Sequence, residues 1–285
     1  MQRALLGWWA GEARDLPWRR TRDPWAVLVA ETMLQQTQVS RVVERFERFL
    51  VCFPTPAATA AAPAGAVLRK WVGLGYNRRA IQLHEAAMAV VERHGGRVPD
   101  DLALLLALPG VGPYTARAVL AFAYERDVAA VDTNAARILA RAVAGRRLGA
   151  AEAQALADRQ VPPGAGWAWN QAMLDLGATR CRARQPRCGT CPLSTACVWY
   201  RAGRPAPDPA ERTAGTSRPQ PTFLGSDRHG RGRLVAALGS GPLARLSVAT
   251  VAGWPDDPDR AARVAAGLVA DGLARWTPSG GLALP

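Results

Sequence analysis

Lysine is almost missing from this chain. Among the 36 basic residues of its 285, only Lys70 is not arginine, so a reaction running through a Schiff base has that one side chain or the N-terminal amine to draw on. Long apolar runs are missing as well, since none approaches the ~18 residues a membrane span needs. Residues 1–15 carry Trp8, Trp9 and Glu12 where a signal peptide has a clean apolar stretch and a small-residue cleavage site. These absences lead us to expect a cytoplasmic protein with no membrane partner. Strand-like alternation is scarce, and acid is under-represented: 23 Asp and Glu leave a net charge of +13. Such a charge points to a polyanion, most often nucleic acid. An arginine-rich composition can also reflect a GC-rich genome, and charge alone leaves both readings open.

The positive material is mostly helical. Over 24–53, 66–95 and 113–124, apolar residues recur three and four apart and Pro or Gly closes most stretches. We expect a mostly α domain over residues 1–203, carrying most of the positive charge. A linker of Pro, Ala, Arg, Thr and Ser over 204–221 comes next, then a small unit over 222–285. In that unit a helix-like 259–271 is followed by two short apolar segments, 272–276 and 282–284, which suggests a winged-helix-like α+β arrangement.

Four of the five cysteines, Cys181, Cys188, Cys191 and Cys197, fall in one C-x6-C-x2-C-x5-C stretch. Disulfides are not expected in a reducing compartment, so metal ligation is the natural reading. Zinc sites usually pair two C-x-x-C knuckles, whereas one compact loop giving four thiolates suits a [4Fe-4S] cluster better; zinc and unligated thiols remain the alternatives. Arginines at 180, 182, 184, 187, 201 and 204 surround these cysteines and suit a phosphate backbone or simply water. Cys52 reads as a small core residue.

Between two helical segments lies Leu108-Pro-Gly-Val-Gly-Pro-Tyr-Thr-Ala116. Gly110, Val111 and Gly112 form a tight hairpin whose following helix, through Thr115, offers backbone amides to a phosphate. This is the helix-hairpin-helix signature of sequence-independent DNA anchoring.

Hairpin and cysteine loop together resemble the endonuclease III superfamily of base-excision DNA glycosylases. Finer motifs resemble its adenine-specific MutY branch: Leu16-Pro-Trp-Arg19, Asp23-Pro-Trp25, Glu31-Thr-Met-Leu-Gln-Gln-Thr-Gln-Val39, Gly73-Leu-Gly-Tyr76, Val131-Asp-Thr-Asn134 and Asn170-Gln-Ala-Met-Leu-Asp-Leu-Gly177. The likeness runs in unbroken order over about residues 14–200. It implies a mostly α helix-hairpin-helix glycosylase fold with a [4Fe-4S] loop, acting as a monomer on double-stranded DNA that holds adenine opposite 8-oxoguanine or guanine. Independent chemistry agrees at two acids, because breaking an N-glycosidic bond takes a proton for the departing base and an anion for the sugar cation. Glu31 sits on an apolar helical stretch that favours its protonated form, and Asp132 in a polar setting that favours its ionised one. By resemblance Glu31 is the acid, Asp132 stabilises or captures the sugar, Asn134 positions it and Tyr114 supports the centre. Trp18, Arg19 and Gln171 line the pocket for the extruded adenine, and Gln36 and Tyr76 enter the base stack.

Tyr114 stands where lyase relatives carry a nucleophilic lysine, implying a monofunctional enzyme. Thr133 and Ala135 replace the usual Gly and Val, and Asn77 replaces a second Tyr. The tail after 221 is too short for the Nudix-like domain that surveys 8-oxoguanine in most of this branch. A mismatch or damaged-pyrimidine glycosylase, and an iron-sulfur DNA-binding protein without activity, are the competing readings.

Overall fold

The structure is a computed structural model that describes residues 1–213 and 222–285. Its helices are α1 (Gln2–Glu12), α2 (Pro24–Leu34), α3 (Val39–Cys52), α4 (Pro56–Ala60), α5 (Ala64–Trp71), α6 (Arg78–His94), α7 (Leu102–Leu106) and α8 (Pro113–Phe122). After these come α9 (Thr133–Ile138), α10 (Ala150–Asp158), α11 (Gly166–Thr179), α12 (Val198–Arg201), α13 (Asp227–Ser240), α14 (Val248–Ala252) and α15 (Pro258–Ala270). The only sheet among the described residues is an antiparallel pair, β1 (Arg275–Trp276) and β2 (Leu282–Ala283). The mostly α expectation holds.

Two compact units interleave along the chain. The first holds the described residues of Met1–Val27, Asp100–Leu106 and Val111–Arg218, and the second those of Leu28–Pro99, Ala107–Gly110 and Pro219–Pro285. This is not the division expected from composition, a core to residue 203 followed by a separate tail. Segments 28–99 and 107–110 group with the tail because chain order does not dictate which faces bury one another.

In the first unit, α9 and α11 pack together with α1 around Leu5, Ile138, Leu139, Trp169, Met173 and Leu176, all fully buried. Beyond α9 the chain widens into a π-helical stretch, Leu139–Ala144, which Gly145 closes at φ 65°. The start of the expected linker is packed here too. Trp199 Nε1 donates to Pro205 O at 2.9 Å, and the buried Thr213 accepts Leu148 N at 3.3 Å. The remainder of that linker, 214–221, lies outside the described residues.

In the second unit Phe49 and Trp71 stack edge-on at 6.0 Å beneath α6. The long helical stretches read from periodicity are each broken, at 35–38 between α2 and α3 and at 72–77 between α5 and α6. Cys52, expected in the core, ends α3 on the solvent side and is exposed. The tail forms three helices and a hairpin, with Leu243 bridged to Leu282, as the winged-helix-like reading expected. It docks on α5 so closely that Gly65 N donates to Pro285 O at 3.1 Å, and a Cβ at Gly65 would lie 2.5 Å from that oxygen.

Candidate functional site

Asp132 caps α9. Its Oδ1 accepts the backbone amides of Asn134 at 2.9 Å and Ala135 at 2.8 Å, and its Oδ2 accepts Asn134 Nδ2 at 2.7 Å. A capping carboxylate at a helix N-terminus is ordinary chemistry. Here, though, the group also faces a cavity of about 410 Å³ whose walls include Tyr114, Arg117, Val131 and Gln154. Burial pushes the Asp132 carboxyl above its usual range, although the Ala135 amide, the Asn134 side chain and amide and the Arg137 charge all pull it back. The polar setting expected from sequence is thus only half of its environment. No lysine lines this cavity, and Lys70, at the end of α5, is exposed.

Asn134 is held from behind. Arg137 Nη2 donates to Asn134 Oδ1 at 2.7 Å and to Gly177 O at 2.9 Å, while its Nε donates to Cys181 O at 2.7 Å. A single buried guanidinium therefore joins the carboxylate's partner to the first cysteine of the loop. Sequence reading missed Arg137; its only local signal is a position on α9 three residues after Asn134.

Cys181, Cys188, Cys191 and Cys197 line one small apolar cavity with Ile138, Leu176 and Leu193. Burial and the neighbouring thiols push Cys191 up to about 11, and Cys188 and Cys197 also shift upward. Such thiols stay protonated unless positive charge joins them. Among the described residues no three His, Cys, Asp or Glu side chains close around a single ion, whereas four thiols facing one shared cavity suit a larger group that binds one thiolate at each corner. Arg141, four residues after Arg137, anchors the same loop, donating to Arg182 O at 2.7 Å and to Asp208 Oδ1 at 2.8 Å.

Trp18 and Arg19 form a short 3-10 turn over Pro17–Arg19 and are both buried. The Arg19 guanidinium is taken up by Asp175 of α11 through paired bonds of 2.8 and 2.9 Å, and Trp9 Nε1 and Arg14 N add 2.9 and 3.1 Å bonds to the same carboxylate. Against the cost of burial, Arg19 and Arg14 hold Asp175 below the usual carboxylate range. Arg19 is therefore a fastener for the turn that presents Trp18. Gln171 lies buried on α11, beside Asn170, whose Oδ1 accepts Ala130 N at 2.8 Å.

In the hairpin, Gly110 adopts φ 72° and leaves no room for a side chain against Gln82. Gly112 is the N-cap of α8 with open space before it. Val111 and Thr115, expected to meet DNA, have buried side chains. What this hairpin can offer a phosphate is backbone.

The second unit carries Glu31, 4% exposed on α2, and two residues in the left-handed region, Gln36 at φ 54° and Tyr76 at φ 48°. Backbone strain at bulky exposed residues persists only when surroundings impose it. Arg79 imposes it. Its Nη1 donates to the carbonyls of Thr32 at 2.7 Å and Met33 at 2.9 Å, its Nη2 to Thr37 Oγ1 and Gly75 O, each at 2.9 Å, and its Nε to Tyr76 O at 3.3 Å. One side chain thereby stitches both loops. Burial lowers Arg79 to about 10, which leaves it charged at neutral pH. The sequence offered no signal for it beyond its place after Gly73-Leu-Gly-Tyr76.

Residues 29–163 match the family model described as HhH-GPD superfamily base excision DNA repair protein. The chain is 42% identical over 291 residues to an adenine DNA glycosylase of Mycobacterium tuberculosis (strain CDC 1551 / Oshkosh), covering 99% of this chain and 92% of that one. A solved structure of a thermostable thymine-DNA glycosylase superposes with TM-score 0.65 at 32% identity, over 70% of this chain and 94% of the other. A trapped endonuclease III–DNA covalent intermediate shares the fold, with TM-score 0.60 at 24% identity, over 70% and 93% of the two chains.

Proposed function

The chain belongs to the adenine DNA glycosylases of the HhH-GPD superfamily of base excision DNA repair proteins, and from that premise we propose that it hydrolyses the N-glycosidic bond of adenine mispaired with 8-oxoguanine or guanine. It is a DNA glycosylase acting on DNA. The observation that carries the finer reading is Asp132, anchored by three donors at the wall of a cavity that holds Tyr114 and no amine.

In this reading Glu31 gives its proton to the adenine ring. The bond between sugar and base then breaks with its electron pair leaving on the base, and Asp132 faces the cation left on the sugar. Water adds to that carbon and returns a proton to a carboxylate. Asn134 fixes the Asp132 carboxylate through its own amide, while Tyr114, Trp18 and Gln171 shape the space for the extruded base. With Tyr114 in place of a lysine, the enzyme is monofunctional and leaves the strand uncut. Cys181, Cys188, Cys191 and Cys197 hold a [4Fe-4S] cluster whose contribution is to fasten the loop that presents the Cys181 carbonyl to Arg137. The backbone of Gly110 to Gly112 takes a phosphate, and Gln36 and Tyr76 enter the base stack. The enzyme works as a monomer in the cytosol, and no helix among the described residues is long and apolar enough to cross a membrane.

A second reading, a mismatch or damaged-pyrimidine glycosylase, is favoured by Thr133 and by likeness to the thymine-DNA glycosylase structure. Single-turnover base release separates the two, using duplexes with A opposite 8-oxoguanine, G, C or T alongside G:T and oxidised-pyrimidine pairs, each with and without alkali. Adenine release that needs alkali to expose the nick supports the proposal, and release of a pyrimidine with adenine retained overturns it. Freshly purified protein should be brown and carry about four irons per chain; colourless protein loaded with zinc overturns the cluster.

A further inference from the structure

Arg117 shares the cavity of about 410 Å³ with Asp132, and no step of base release uses it. Among the described residues lining that cavity only these two carry charge; Tyr114 and Gln154 are the neutral polar side chains and the rest are apolar. For the chemistry this pairing is awkward. Asp132 has to favour a cation on the sugar, and a second, fixed cation in the same enclosed space opposes it by Coulomb repulsion. The conflict disappears when an anion that arrives with the substrate covers the guanidinium. A nucleotide within a strand brings one on each side of its sugar, the 5′ and the 3′ phosphate.

Asp158, the last residue of α10, already lies 2.9 Å from Arg117 Nη1, but other donors draw on that carboxylate. The same Oδ1 accepts the Ala129 amide at 3.2 Å and Gln154 Nε2 at 3.1 Å, and the side chain is 39% exposed. Asp158 is therefore an anchor. It takes one nitrogen of the guanidinium, and among the described residues no acceptor takes Nε or Nη2. An arginine offers five N–H donors in a flat fork, and those left over match the oxygens of a phosphate. The placement on α8 agrees. Arg117 lies four residues after Pro113, about 6 Å along the helix axis, and Pro113 follows Gly112, the N-cap with open space before it. A strand with one phosphate on the amides of that N-terminus can set its next on Arg117.

We infer that Arg117 is a substrate-binding residue that takes a phosphate flanking the extruded adenosine, holding the sugar carbon against Asp132 while its own charge is withdrawn from the sugar cation. Asp158 is the positioning residue that aims the guanidinium. This rests on the reading that the substrate is an adenosine swung out of duplex DNA.

The test uses the full chain in single-turnover adenine excision at saturating protein, on duplexes in which the phosphate 5′ or 3′ to the adenosine is an uncharged methylphosphonate. On the ordinary duplex Arg117→Gln lowers the rate about ten-fold or more, the loss of a charged hydrogen bond. One of the two neutral linkages lowers the wild-type rate by a similar factor. On that linkage Arg117→Gln costs less than about two-fold further, because guanidinium and phosphate act as one pair. Arg117→Lys recovers part of the rate through its charge; its smaller loss also vanishes on the neutral linkage, which keeps the test decisive if Arg117→Gln does not fold. An arginine that only ties α8 to α10 gives losses that multiply with those of both neutral linkages. That result overturns the inference, as does a wild-type rate in Arg117→Gln on the ordinary duplex. A wild-type chain that leaves adenine in place and releases thymine from a G:T pair sinks the adenine reading, and the same neutral linkages around that thymine then decide the phosphate contact.

Discussion

Asn134 receives a 2.7 Å hydrogen bond from Arg137 while donating one of the same length to Asp132. The same guanidinium's Nε reaches the carbonyl of Cys181 at 2.7 Å, so the orientation of the carboxylate's partner and the position of the cysteine loop are set by one side chain. Arg137→Lys keeps the charge but loses the fork. Single-turnover adenine excision should fall at least ten-fold, with the melting temperature lowered as well; a variant with wild-type rate would show that Asn134 needs no support.

Asp132→Asn tests the carboxylate itself. Burial raises its pKa in the folded state above the unfolded value of 3.8, so the folded chain binds that proton more tightly than the unfolded one. The stabilisation this gives is present at low pH and is lost as pH rises through the folded pKa, leaving a charge at neutral pH that costs stability. Asparagine caps the helix without that charge. Excision should fall by at least about a hundred-fold, while thermal melting at pH 7 should give a midpoint no lower than wild type. The same shift predicts an acidic limb in the rate–pH profile above the ordinary aspartate range, moved further up in Asn134→Ala, which loses a donor to the ionised form.

Gly177 is a second support for Asn134. A Cβ at 177 would overlap the Asn134 Cβ and lie 2.9 Å from its Cγ and 3.0 Å from its Oδ1. Gly177→Ala is therefore expected to cost about 1–3 kcal/mol, as overpacking does, and to lower excision beyond what the stability loss explains. Urea melts paired with single-turnover rates at a temperature where both proteins are folded separate the two effects.

Arg79→Lys should release both strained loops. A lysine cannot serve the Thr32 and Met33 carbonyls and the Gly75 carbonyl together, and each buried acceptor left without a donor costs roughly 1–3 kcal/mol. Amide hydrogen exchange over 33–38 and 73–78 should rise, and affinity for mispaired duplex should drop with it. Unchanged protection there would mean the loops hold their own shape.

Borohydride should trap no adduct with wild-type protein. Tyr114→Lys places an amine on the wall that Asp132 shares and should yield a trapped adduct on a duplex bearing an abasic site; a strong wild-type adduct at Lys70 would overturn the monofunctional reading.

Much of this site was legible along the chain because it is local. Four cysteines within seventeen residues and two glycines flanking Val111 declare their chemistry by spacing, and the short tail's helix-then-hairpin order shows in its apolar pattern. Helical periodicity located most of the helices but ran through 35–38 and 72–77, where the backbone turns. In the first of these no Pro or Gly marks the break; in the second, Gly73 and Gly75 sit beside a tyrosine that itself takes positive φ.

What the sequence determined by itself was the class: an arginine-rich helical chain with a helix-hairpin-helix motif, a loop of four cysteines and two acids in contrasting settings. Tertiary structure alone decided which side chains hold those acids and loops in place. Arg79, Arg137 and Arg141 act mainly on backbone carbonyls up to 47 residues away, and Arg19 ends on an aspartate 156 residues along. A carbonyl is the same at every residue, so an acceptor built from backbone leaves no mark in the sequence. Only folding determines which carbonyls, and which buried carboxylate, an arginine meets.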